Sequence, residues 1–76
     1  MNNARRKELS KVINMLNEAK DVLEDVLYEE QDVFDNMPEN LKFSMKGQDM
    51  ENAVARLEDA LNDVEDAIDC IIEAQV

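Results

Sequence analysis

Residues 50–71 read MENAVARLEDALNDVEDAIDCI, and within them Met50, Val54, Leu57, Leu61, Val64, Ile68 and Ile71 recur at spacings of 4, 3, 4, 3, 4 and 3. An apolar residue every 3.5 positions is the seam of a helix lying along another helix, because residues three and four apart share one face. A strand would need alternation by two, which this stretch lacks. Broken into sevens it becomes AVARLED, ALNDVED, AIDCIIE and then AQV. Ala53, Ala60 and Ala67 thus stand just before seam residues, and Ala74 continues their row. Small side chains along one flank let a neighbouring helix approach more closely than leucine would.

Upstream, Leu9, Val12, Leu16, Ala19, Leu23, Val26 and Val33 fall on a comparable seam. Ile13, Leu27 and Phe34 flank it on one side, Met15 and Val22 on the other. That band is wider than one opposing helix can cover. Asn3 is placed to cap the first helix. Pro38 disfavours helical geometry at Met37, which ends that helix near Phe34 to Asn36 and opens a short turn through Glu39, Asn40 and Leu41. Ser44 is placed to cap the second helix, and Gly47 in its first turns reads as a weak point costing about 0.5–1 kcal/mol relative to alanine.

The expectation is an all-α chain, one domain over residues 1–76: helix 1 over about 3–35, a turn over about 36–43 and helix 2 over about 44–74, folded as an antiparallel, coiled-coil-like hairpin. Helices of roughly 30 residues are on the order of 45 Å long. Antiparallel packing is expected to bring Arg5, Arg6, Lys7 and Lys11 beside Asp66, Asp69 and Glu73. Exposed pairs of this kind contribute only about 0–1 kcal/mol each and select register more than they hold the fold.

A 76-residue chain buries a small share of its surface and draws extra stability from disulfides, a metal or oligomerisation. Cys70 is the only cysteine and there is no histidine, so neither a disulfide within the chain nor a zinc site of nitrogen and sulfur ligands can be built. Oligomerisation remains. Two hairpins would close a four-helix bundle, with the homodimer interface expected at Ile13, Val22, Leu23, Leu27 and Phe34.

The net charge is -11, from 19 acidic and 8 basic residues. The bases cluster early, with Arg5, Arg6, Lys7, Lys11 and Lys20 against only Glu8 and Glu18 among the first twenty residues. Phosphate backbones and anionic lipid would be repelled by the rest, so direct nucleic-acid binding and membrane binding are not expected. No apolar run reaches the ~18 to 20 residues of a spanning helix, and no hydrophobic leader opens the chain, which points to the cytoplasm.

The inventory for catalysis is thin. Without histidine there is no Ser/His or Cys/His relay. Cys70 stands among Asp66, Asp69 and Glu73, the reverse of the electropositive surroundings a reactive cysteine needs. Glu29 and Glu30, with Glu58, Asp59, Asp63 and Asp66, are the carboxylates that magnesium or calcium would use. The acidic motif of all-α nucleotide pyrophosphatases fails because Val33 stands where the third glutamate of a Glu-Glu-x-x-Glu run belongs. No catalytic residue, cofactor or metal is expected. Glu58, Asp59, Asp63, Glu65, Asp66, Asp69 and Glu73 recur at helical spacing as an acidic face. Such a face is ordinarily solvated, and the alternative is that it imitates duplex phosphates and competes for a protein's DNA- or RNA-binding groove.

The run Glu29-Glu30-Gln31-Asp32-Val33-Phe34-Asp35-Asn36-Met37-Pro38-Glu39-Asn40-Leu41, followed by Met50-Glu51-Asn52-Ala53 and Leu57-Glu58-Asp59-Ala60, resembles a group of small uncharacterised proteins from phages and mobile elements of Gram-positive bacteria. In that group a glutamate-rich helix end runs into an Asp-Asn-Leu/Met-Pro-Glu-Asn/Ser-Leu turn, and a second acidic helix follows. The resemblance spans roughly residues 9 to 74, with the turn as its most specific part. It implies a helical hairpin of mobile-element origin and no particular activity. Such elements also encode small acidic inhibitors of host defence nucleases, an association that favours mimicry. The function expected is a non-enzymatic, homodimeric interaction module of a phage or prophage that docks on a host or phage protein in the bacterial cytoplasm.

Overall fold

A computed structural model describes all 76 residues as helices and short connections: α1 over Asn3–Asp35, α2 over Glu39–Lys42 and α3 over Met45–Ala74. The two long helices lie along each other as an antiparallel hairpin measuring 58 × 15 × 13 Å between Cα atoms. These bounds match the sequence reading to within a residue or so. Capping of α1 falls one position earlier than expected, on Asn2, whose side chain accepts from the Arg5 amide at 2.9 Å. Two adjacent asparagines offer the same acceptor. At the far end, the Asn36 amide and side-chain nitrogen both donate to the Asp32 carbonyl, at 3.1 and 2.9 Å.

Pro38 opens α2, its carbonyl accepting from the amides of Leu41 at 2.9 Å and Lys42 at 3.1 Å. Ser44 caps α3 as expected: its hydroxyl accepts from the Gly47 amide at 3.3 Å and donates to the Leu41 carbonyl. Gly47 is no weak point. It is buried under α2, and a Cβ there would run into the backbone carbonyls of Leu41 and Lys42. Lys42 completes the corner, its ammonium 5.7 Å from the Phe34 ring centre and 3.6 Å from Glu39.

Along α3 every seam residue read from the sequence turns inward, with Val54 buried and Met50, Leu57, Leu61, Val64, Ile68 and Ile71 half-buried. On α1 the inward row differs from the expected one. Leu9, Ile13, Leu16, Leu23, Leu27 and Phe34 are half-buried, while Val12, Ala19, Val26 and Val33 are exposed. The helix is therefore rotated by roughly 50° about its axis from the sequence reading. Lys20 occupies the same inward row and reaches out along its stem to Glu65 at 3.4 Å, the one ion pair that joins α1 to α3. The expected contacts of Arg5, Arg6, Lys7 and Lys11 with Asp66, Asp69 and Glu73 do not form, and Lys11 pairs with Glu8 at 3.2 Å. For Arg5, Arg6 and Lys7 the reason is length. Measured from the Lys20–Glu65 pair, α1 runs about eight residues, roughly 12 Å, further than α3 toward the termini.

Candidate interaction surface

The hairpin has two long edges of opposite character. One carries a shallow groove lined by Asn17, Lys20, Glu65, Ile68 and Asp69. Asn17 and Glu65 immediately follow the seam residues Leu16 and Val64, and in an antiparallel pair the residues that follow equivalent seam positions share an edge. The residues that precede the alternate seam positions share the other edge. On α1 these are Val12, Ala19, Val26 and Val33, just before Ile13, Lys20, Leu27 and Phe34; on α3 they are Ala53, Ala60, Ala67 and Ala74. No charged side chain belongs to either row. Polar chemistry therefore gathers on one edge and aliphatic chemistry on the other.

The aliphatic edge continues around α1 through Met15 and Val22. Exposure is 37% at Val12 and 41% at Val26, rising to 55% at Val33, 61% at Met15 and 63% at Val22. Val12, Met15, Ala19, Val22 and Val26 have spacings of 3, 4, 3 and 4, a second complete seam on one helix. The first seam is occupied by α3. The second faces outward.

Of the five residues expected to form an oligomer interface, Ile13, Leu23, Leu27 and Phe34 are thus already half-buried within the single chain, and only Val22 stands on the outward seam. Val12, Val26 and Val33, which the sequence reading sets on the inner seam, join Val22 there, as does Met15, which it places beside Val22 but leaves out of the interface. Their signal is a second 3-4 repeat interleaved with the first.

The chain matches no protein-family model, no curated protein and no solved structure.

The expected acidic face divides. Glu58, Asp59, Asp63, Asp66, Asp69 and Glu73 are exposed on α3, whereas Glu65 is half-buried on the groove edge with Lys20. Asp59 pairs with Arg56 at 3.0 Å, and the remaining five exposed acids have no basic partner. No three carboxylate or thiol groups converge closely enough to hold a metal ion between them. Cys70 is exposed and unpaired. No helix is long and apolar enough to cross a membrane.

Proposed function

We propose that this chain is a non-enzymatic, homodimeric interaction module, encoded by a phage or other mobile element and working in the host cytoplasm by docking on another protein. The outward seam of α1 carries this reading. Two interlaced apolar repeats on one helix are what a helix needs when it packs against two neighbours at once, and the hairpin supplies only one. With Gly47 and Val54 as its only buried residues, the isolated hairpin has little interior of its own. The origin in a mobile element rests on the Asp35-to-Leu41 turn.

Sedimentation at micromolar concentration tests the oligomer: the expected mass is twice the 8.7 kDa of one chain. Val22→Asp should give a helical monomer, because the charge falls on the outward seam and leaves the hairpin seam intact. A wild-type monomer across the micromolar range would refute the reading.

The unpaired acids of α3 favour a second reading, a nucleic-acid mimic that blocks a host DNA- or RNA-binding protein such as a defence nuclease. A partner captured from host lysate at low salt, lost at high salt and displaced by duplex DNA would support it.

A further inference from the structure

We infer that the second copy binds with its α1 against α1 in the opposite direction, with a two-fold axis passing beside Val22 and Leu23. The inference rests on the homodimer reading above and specifies its geometry. The surface area suits a second copy as the occupant. The chain exposes 5684 Å², about 1,000 Å² more than the roughly 4,700 Å² expected of a compact monomer of its mass. If each copy covers that excess, the interface totals about 2,000 Å², within the range of stable, specific dimers.

Direction follows from where apolar groups and charges lie. The outward apolar face is centred on α1, since the matching outer positions of α3 are Asp49, Arg56, Asp63 and Cys70. Packing α1 against the partner's α3 would set Met15 and Val22 on those polar side chains. Packing α1 on α1 sets aliphatic on aliphatic, with Glu29 the one charged outer position inside the stripe from Val12 to Val33. Along α1 the charge changes sign, from Arg5, Arg6, Lys7 and Lys11 at its start to Asp25, Glu29, Glu30, Asp32 and Asp35 near its end. Parallel α1 helices would stack like charges over their whole length, whereas antiparallel ones set each basic start against an acidic end.

The stripe from Val12 to Val33 has its midpoint between Val22 and Leu23. Centring two stripes there places Val12 opposite Val33 and Ala19 opposite Val26. The same register carries the overhanging start of α1, where Met1, Ala4 and Leu9 line an open apolar hollow, toward the exposed Leu41 and Phe43 of the partner's turn.

Disulfide trapping tests the direction in a Cys70→Ser background, with sedimentation and circular dichroism run on each variant. Val22→Cys should link to itself under mild oxidation. Val12→Cys and Val33→Cys should each stay unlinked alone and link when the two variants are mixed. Self-linking of Val12→Cys or Val33→Cys would show parallel α1 helices and overturn the inference. So would a sedimenting dimer in which Val22→Cys fails to link. A folded wild-type monomer would instead remove the dimer on which the inference stands.

Discussion

Replacing a helical glycine with alanine ordinarily stabilises by about 0.5–1 kcal/mol, but at Gly47 the carbonyls of Leu41 and Lys42 occupy the space a methyl would need. Backbone cannot rotate aside as a side chain can. Gly47→Ala should therefore destabilise, by about 1–3 kcal/mol, measured as a lower urea midpoint; an unchanged or higher midpoint would contradict the contact. Ser44→Ala should cost about 0.5–2 kcal/mol through the lost cap, and its effect should overlap with that of Gly47→Ala because both act on one corner. Lys20 poses the opposite case. A cation on an inward row trades stability for a fixed register, so Lys20→Leu should raise the thermal midpoint. The pair with Glu65 is still partly open to water and adds little to be lost.

Helix α3 is legible from its sequence because it has one apolar seam, flanked by alanines and otherwise charged. Helix α1 is not, because Leu9, Leu16 and Leu23 belong to two overlapping repeats: with Ile13, Leu27 and Phe34 they make one seam, with Val12, Ala19, Val26 and Val33 another. Lys20 tips a sequence reading toward the wrong one. It puts an ammonium in the row that faces α3, while the competing row has an alanine at the equivalent place and so passes for the interior. Nothing local says that a lysine stem can lie in a seam while its charge reaches Glu65. The distinction can be measured. Leu23→Asp puts a charge between α1 and α3 and should abolish the helical circular dichroism signal at 25 °C, whereas Val22→Asp, one residue away, should retain most of it while halving the sedimenting mass. Equal loss of helix in both would mean that neither row belongs to the hairpin alone. The candidate interaction surface is half legible for the same reason: the sequence points to Val22 but sets Val12, Ala19, Val26 and Val33 on the inner seam.

At the scale of the whole molecule, a thin rod with two buried residues has little interior of its own, and on the proposed dimer its thermal midpoint should rise with protein concentration. Two chains each carrying -11 repel one another. Added salt should screen that repulsion and tighten the proposed dimer, with the dissociation constant falling between about 10 mM and about 500 mM sodium chloride; a rise would assign the main role to the opposed ends of α1. The edge rows set a further constraint, on how chain length can vary. One residue inserted between Ala53 and Ala67 turns everything beyond it by about 100°, moving later alanines off their edge and later seam residues into water. Seven residues inserted at the same point restore both rows and lengthen the rod by about 10 Å. Viable length variants of this protein should therefore add or lose whole heptads, matched in α1 and α3, while the α2 corner, which carries no repeat, fixes where the two arms are joined.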